Sequence, residues 1–137
     1  MKSTAKNKTI FLLNILIIKP ICLLIKRCAK PSEKLMKKMK FIGKFKITTK
    51  DDKIFYLYNN TFFLENSIFW LGMENFTWEF MTRQIWIHLS KSSKIIFDIG
   101  ANTGIYSILS KVYNPNAKVS AFEPQPNIYK ILKKTIT

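Results

Sequence analysis

The chain has 137 residues, of which 47% are hydrophobic, and a formal net charge of +15. This length allows one domain of moderate size, and the apolar content excludes an intrinsically disordered chain. All but two of the 23 basic residues are Lys; because base and phosphate recognition favours Arg, the charge indicates an AT-rich coding bias more than a nucleic-acid partner, with a functional basic surface as the alternative.

The N-terminal part, residues 1–43, is predicted to be a Lys-rich helical segment. Three apolar groups, Ile10–Leu13, Ile15–Ile18 and Ile21–Ile25, follow Lys2, Lys6 and Lys8 and are interrupted by Asn14, Lys19 and Pro20. Three interpretations stay open for residues 8–30: an accessory helix or two kinked at Pro20, a basic amphipathic segment in peripheral contact with an anionic membrane, and a targeting or anchor sequence. The run is short for a bilayer span, and Cys28-Ala29-Lys30 is a poor cleavage site.

Further along, Pro31-Ser32 is able to begin a helix and Gly43 to end it. Residues 44–93 are predicted to form a small strand cap and a connecting helix. Phe45-Lys46-Ile47 and Ile54–Tyr58 predict paired strands around Asp51-Asp52, and Thr61–Leu64 predicts a third. The helix is placed at residues 77–89, with Glu79 in its first turn and one apolar stripe: Trp78, Met81, Ile85, Trp86 and Leu89. The aromatic residues from Phe55 to Trp86 are assigned to the core.

Residues 94–137 contain the pattern around which the chain is organised. Ile95-Ile96-Phe97 predicts a short buried strand, and Lys118 to Phe122 predicts a second. Between them, the loop Gly100–Gly104 leads into a helix whose apolar face is Ile105, Ile108, Leu109 and Val112. Pro126 suits the start of a last helix, with Ile128, Ile131 and Leu132 on its buried face. Strand, glycine loop, helix and strand follow the order of a nucleotide-binding α/β unit.

Two acids bracket this loop: Asp98 precedes Gly100 by two residues, and Glu123 ends the second strand. Glycine permits the abrupt strand-to-helix turn and the close approach of a ligand, and Asn102 tolerates the left-handed region. The dinucleotide fingerprint needs glycine where this chain has Asn102 and Ile105, and the Lys of a P-loop is absent. Because Asp98 would repel a pyrophosphate, the pattern favours a ligand with an ammonium group, a ribose and no phosphate, such as S-adenosylmethionine.

Two linked motifs, FDIGANTGIYSI at 97–108 and AFEPQP at 121–126, resemble the FkbM-type S-adenosylmethionine-dependent methyltransferases. That family combines an acid-x-Gly-Ala-Asn-x-Gly loop with a Phe-Glu-Pro-x-Pro segment after the second strand. Trp78-Glu79 through Trp86 also resembles the helix that precedes the first strand in the family, so the resemblance covers roughly residues 60 to 137. The alternative is a doubly wound domain whose glycine loop binds another nucleotide or none.

The resemblance implies an α/β fold in which residues 94–137 are the opening, incomplete half of a Rossmann-like doubly wound methyltransferase sheet. It implies S-adenosylmethionine as cofactor and a hydroxyl-bearing acceptor of unknown class, methylated on oxygen by in-line displacement. Asp98 would act at the methionine ammonium through water, and Glu123 at the ribose hydroxyls. The implied cofactor-binding residues are Asp98, Gly100, Ala101, Asn102, Gly104 and Glu123. None of them is a catalytic base, so no catalytic residue is assigned.

Such sheets have several more strands than the two predicted after Lys94. We therefore expect an N-terminal part of a methyltransferase, cytoplasmic or membrane-associated through its first segment, inactive alone and with an uncovered sheet face. Two rivals stay open: a basic module for nucleic acid or membrane that keeps the half-fold as scaffold, and a different nucleotide-dependent enzyme. His88 is assigned to the surface or to packing, and Cys22 and Cys28 imply neither a zinc site nor a disulfide.

Overall fold

A computed structural model describes residues 12–29 and 31–137 of the chain. Lys2, Lys6, Lys8 and the ends of the predicted segment 8–30 lie outside these residues. The described residues form a mixed α/β fold with two small sheets. The helices are α1 (Lys19–Cys28), α2 (Glu33–Lys38), α3 (Phe63–Asn75), α4 (Phe80–Ser92), α5 (Ile105–Tyr113) and α6 (Pro126–Ile136), and the strands are β1 (Ile42–Thr48), β2 (Ile54–Asn60), β3 (Ile95–Ile99) and β4 (Lys118–Phe122).

Residues 12–28 form one helical run, the N-terminal helix, whose segment Asn14–Ile18 is π-helical. The amide of Lys19 donates to the carbonyl of Asn14, five residues back, and Pro20 follows directly at the start of α1. Proline lacks an N–H and its ring clashes with the carbonyl of the preceding turn in an α-helix. The wider π turn accommodates the ring, so the chain stays helical through Pro20. The kink predicted there stays a prediction.

The helix after Ser32 begins as predicted but ends earlier. Ser32 is the N-cap of α2 and accepts a hydrogen bond from the amide of Leu35 at 3.4 Å. The helix ends at Lys38, whereas Gly43, the predicted terminator, lies within β1 with φ +133°. The indole of Trp70 donates to the carbonyl of Met39 at 3.2 Å, which ties the extended chain after α2 to α3.

β1 and β2 form the predicted antiparallel hairpin, with Phe45 opposite Leu57 and both side chains buried. The predicted third strand is wrong, because Phe63 begins α3. The amide of Thr61 donates to the side-chain oxygen of Asn59 at 2.9 Å, and Thr61 has φ +66°. This short side-chain-to-backbone contact turns the chain out of the extended conformation before α3 begins.

One core joins the N-terminal helix, the hairpin, α3 and α5. The rings of Phe41, Phe45 and Trp70 meet Phe69 edge-to-face, with centroids 4.6, 5.5 and 4.8 Å away. The assignment of the aromatic region to the core is thus confirmed around Phe69, whereas Trp78 is exposed.

β3, α5 and β4 form a parallel β–α–β unit, in which Ile95 aligns with Lys118 and Ile99 with Phe122. One face of this pair carries the buried side chains of Ile96 and Asp98. The other face is bare: Ile95, Phe97, Ile99 and Phe122 are all exposed, Ile99 to 83%. The prediction of a buried first strand is therefore wrong for this face, because no helix of the described residues covers it.

The helix predicted at residues 77–89 is α4, which begins at Phe80 and ends at Ser92. Glu79 precedes it in the left-handed region at φ +51°, not in its first turn as predicted. The predicted apolar stripe is largely exposed at Met81, Ile85 and Leu89. α4 instead meets α5 through polar contacts, because the indole of Trp86 donates to the hydroxyl of Ser110 at 2.7 Å.

Candidate functional site: the glycine loop and its acids

The loop between β3 and α5 contains both exposed and buried residues. Gly100, Asn102 and Gly104 have positive φ angles of 77°, 48° and 94°. Gly100 and Asn102 are exposed, whereas Ala101, Thr103 and Gly104 are buried. The predicted use of Asn102 in the left-handed region is confirmed, and the loop presents Gly100 and Asn102 to the outside.

The two glycines have different surroundings. A Cβ added to Gly100 meets nothing within 4 Å, so the space beside it is open. A Cβ added to Gly104 would lie 2.6 Å from Cδ1 of Leu132 in α6. Gly104 is therefore needed for helix packing, and the prediction that it opens space for a ligand is not supported by its surroundings.

Four of the five loop amides are already used within the chain. The amides of Gly100 and Ala101 both donate to the carbonyl of Phe122 at 2.9 Å, and that of Gly104 to Ala101 at 2.8 Å. The amide of Asn102 donates to Oε2 of Glu123 at 2.9 Å. Phosphate-binding loops direct free amides at their ligand. This loop has few to offer, so its geometry does not suit a phosphate.

Glu123 links the end of β4 to the loop. Its Oε2 accepts from Asn102, and its Oε1 accepts from the amide of Gln125 at 2.9 Å. The side chain is half-buried, and a carboxylate has about four lone-pair sites, so both oxygens retain accepting capacity. Glu123 is thereby held beside Asn102, where a ligand hydroxyl would meet it.

Asp98 lies behind the loop, at 5% exposure. Its Oδ2 accepts from the hydroxyl of Ser107 at 2.6 Å, which joins the end of β3 to the first turn of α5. This side chain therefore joins the strand to the helix that follows the loop.

Glu65, at the start of α3, is a buried acid that sequence reasoning missed. The side chain is 2% exposed; its Oε1 accepts from the hydroxyl of Thr103 in the loop, and Oε2 is buried with no hydrogen-bond partner among the described residues. Burial raises the pKa of this carboxyl, and the hydrogen bond from Thr103 acts in the opposite direction. Sequence alone gave no signal, because Glu65 lies in an apolar stretch 38 residues before its partner.

Glu79, which precedes α4, contacts the first turn of α5. Its Oε2 accepts from the phenol of Tyr106, in the first turn of α5, at 2.8 Å. Burial and this contact raise the pKa of Tyr106 above its usual range. The neighbouring turn is held by Arg83, which is 3% exposed and donates to the carbonyls of Trp78 and Phe76. Neither role was predicted from the sequence.

Half of the chain's eight acids thus contact the loop or the first turn of α5: Glu65, Glu79, Asp98 and Glu123. Within residues 12–29 and 31–137 none of the four forms an ion pair, since both pairs found there involve Glu33 and Glu74. In a chain of net charge +15 with eight acids, this is a local concentration of carboxyl groups. Such a site attracts cations and hydrogen-bond donors.

The larger clefts lie elsewhere. One, of about 860 Å³, lies between the β1–β2 hairpin and the surface of α5, β4 and α6, and it includes Asp51, Ser107 and Thr135. A second, of about 720 Å³, lies between α2, α3 and Trp78. Gly100, Asn102 and Glu123 line neither of these two clefts.

Other candidate chemistry is sparse in the described part of the chain. His88 is exposed on α4, Cys22 is buried and Cys28 exposed, and both thiols are free. No group of three or more metal-ligating side chains occurs among these residues. Nor does any helix there have the length and apolarity to cross a bilayer.

Comparison with known proteins gives one short similarity. Over 45 residues the chain is 42% identical to the methyltransferase sdnD of Sordaria araneosa. The matched stretch is 33% of this chain, and the chain spans about 17% of the length of that relative. No family model matches the chain, and no solved structure matches it. The similarity therefore covers a minor part of both chains.

Proposed function

We propose that this chain contributes the cofactor-binding half of an S-adenosylmethionine-dependent methyltransferase of FkbM type that methylates a hydroxyl group. The observation that carries the proposal is a glycine loop with four of its five amides already bonded, beside four acids that form no ion pair with any described residue. A donor-poor, acid-rich loop repels phosphates and attracts a cation. The similarity over 45 residues to a curated methyltransferase supports the same class.

The residues present fit this cofactor in kind. Glu123 would accept hydrogen bonds from the ribose hydroxyls with its remaining lone pairs. Gly100, beside open space, would let the methionyl part approach the main chain. Asp98 would act on the methionine ammonium at longer range, through water, since its side chain is buried and its Oδ2 is bound to Ser107. When bound, S-adenosylmethionine supplies an electrophilic methyl group, and the protein's task is to align the acceptor with it.

Nuclear magnetic resonance of the ¹⁵N-labelled chain tests ligand binding even when affinity is weak. S-adenosylmethionine should shift the amide signals of Gly100 and Asn102 in a saturable way, whereas ATP should leave them unchanged. Equal shifts with ATP would support a different nucleotide-dependent enzyme. If S-adenosylmethionine leaves the loop signals in place, the proposed site is wrong.

Two variants and one control locate the contacts. Glu123→Ala should weaken S-adenosylmethionine binding by about 1–3 kcal/mol, because it removes hydrogen bonds to a charged acceptor. Glu33→Ala changes the net charge equally but lies on α2, so its affinity should stay near wild type. Gly100→Val should abolish binding, because the branched side chain fills the open space beside the loop. Normal binding by a folded Gly100→Val protein would remove the loop from the site.

A further inference from the structure

The N-terminal helix carries its apolar residues on the side that faces away from the protein. We call this surface the outer face, formed by Leu12, Leu13, Leu16, Ile17, Pro20, Ile21, Leu23 and Leu24. Its leucines and isoleucines are each at least 45% exposed, and Leu16 reaches 69%. A continuous apolar surface of this kind is rare on a soluble protein without a binding role.

The inner side of the same helix contributes polar contacts to the fold. Oδ1 of Asn14 accepts from the amide of Ile42 at 2.9 Å, which caps the first residue of β1. The ammonium of Lys26 donates to the carbonyl of Phe69 in α3, near Gly72, where the helical dihedrals are interrupted. Cys22 is fully buried between them. Because these contacts fix the rotation of the helix, its outer face cannot turn inward.

The sequence before Glu33 carries charge of one sign. The first acidic residue of the chain is Glu33, and seven basic residues precede it. Glu33 itself is paired with Lys37 at 2.6 Å. Four of the other acids contact the glycine loop or the first turn of α5. The helix that carries the outer face therefore belongs to a stretch of sequence with net positive charge, and Arg27 is exposed near its end.

We propose that the N-terminal helix lies on an anionic lipid surface, with its outer face in the interface between headgroups and acyl chains. Apolar burial and attraction of basic residues to anionic headgroups act together in such helices. The helix of residues 12–28 is about 25 Å long at 1.5 Å per residue, which suits lying in the membrane plane. A second copy of this chain would bring two basic ends together, and this repulsion disfavours self-association through the same face.

Vesicle flotation tests the proposal, because bound protein rises with lipid while aggregated protein stays below. The chain should float with vesicles of phosphatidylcholine containing phosphatidylserine, and much less with pure phosphatidylcholine. Raising the salt concentration should reduce binding, because it screens the headgroup attraction. Cys28, exposed at the end of the helix, takes a polarity-sensitive dye whose emission should shift to the blue on binding, while buried Cys22 stays unlabelled.

Two double variants test whether vesicle binding depends on the outer face or on exposed apolar residues anywhere on the protein. Leu16→Glu with Leu24→Glu should lower vesicle partitioning at least tenfold. Met81→Glu with Ile85→Glu changes two comparably exposed residues on α4 and the same charge, so its partitioning should stay within twofold of wild type. Far-ultraviolet circular dichroism checks that both proteins keep their helix content.

Three outcomes would overturn the proposal: no flotation with anionic vesicles, equal flotation with neutral ones, or equal losses in the two paired variants. A dimer in sedimentation velocity that Leu16→Glu with Leu24→Glu dissociates, without any flotation of the wild type, would assign the outer face to a second copy instead. The readouts involve no cofactor, so they stand apart from the methyltransferase proposal.

Discussion

Alanine at Gly104 should destabilise the protein far more than alanine at Gly100. Both residues have φ between +77° and +94°, so either substitution forces an L-residue into the left-handed region. That strain costs about 1–2 kcal/mol. At Gly104 the new methyl would also lie 2.6 Å from Cδ1 of Leu132, a residue only 1% exposed and therefore unable to move into solvent.

The collision adds an overpacking cost of about 1–3 kcal/mol. We therefore expect a loss in the free energy of unfolding of about 1–2 kcal/mol for Gly100→Ala and about 2–5 kcal/mol for Gly104→Ala. The second value is a large share of the stability of a small domain, which is about 5–15 kcal/mol. Gly104→Ala should thus lower the yield of folded protein visibly.

Urea titration followed by tryptophan fluorescence measures both values, since Trp70, Trp78 and Trp86 report on separate parts of the fold. A double-mutant cycle with Leu132→Ala isolates the collision, because removing Cδ1 should relieve the excess cost of Gly104→Ala but leave its strain. Equal losses at the two glycines, within about 0.5 kcal/mol, or strict additivity with Leu132→Ala, would refute the packing role of Gly104.

Two further predictions concern buried charges. Because the folded-state pKa of Glu65 is raised, the native state binds its proton more tightly, so this group's contribution to stability falls as pH rises from about 4.3, the unfolded value, to the folded pKa. The stability of Glu65→Gln relative to wild type should therefore increase across that window in urea titrations, and a pH-independent difference would contradict the reasoning. Arg83→Met should lower the free energy of unfolding by at least about 1–3 kcal/mol, because the carbonyls of Phe76 and Trp78 lose the donors of the guanidinium. Arg83→Lys should give an intermediate loss, since an ammonium cannot reproduce the paired donors of Arg. A wild-type urea midpoint for Arg83→Lys would show that the paired donors are not needed.

The β–loop–α–β unit could be predicted because its signals are local. A β-branched run, two glycines, an Asn suited to the left-handed region and an apolar stripe at helical spacing lie within thirty residues, and the observed β3 and β4 match them. The hairpin was likewise predicted from two short strand-like runs on either side of Asp51-Asp52. Such patterns depend on the chain's own geometry and need no knowledge of distant neighbours.

The errors arise where tertiary neighbours decide. The stripe of α4 has ordinary helical spacing, yet Met81, Ile85 and Leu89 are exposed because α5 meets the helix through Trp86 and Ser90. Periodicity shows that a helix has an apolar side but not which neighbour is present to cover it. The packing role of Gly104 was not predicted, because the position of Leu132 depends on how α6 packs.

The acids of the site also fall into two groups, those predictable from local sequence and those placed by tertiary contacts. Asp98 and Glu123 were identified from their distance to the glycines along the chain. Glu65 contacts Thr103 in the loop across 38 residues, and Glu79 contacts Tyr106 in the first turn of α5 across 27 residues. Long-range polar contacts of this kind leave no periodic signal in a single sequence, so the acid-rich character of the site emerged only from the fold.

The π turn at Asn14–Ile18 has a consequence for how this protein tolerates insertions and deletions. In an α-helix each residue advances the helix by about 100°, so removing one residue from the turn would rotate everything before it by that angle. Asn14 and Cys22 lie on opposite sides of Pro20 and must point to the same side of the helix, one toward β1 and one into the core. The π turn therefore sets the rotation of Asn14 relative to Cys22 about the helix axis. A one-residue deletion in the turn should break either the contact of Asn14 with β1 or the burial of Cys22, whereas substitutions that keep the length should be tolerated.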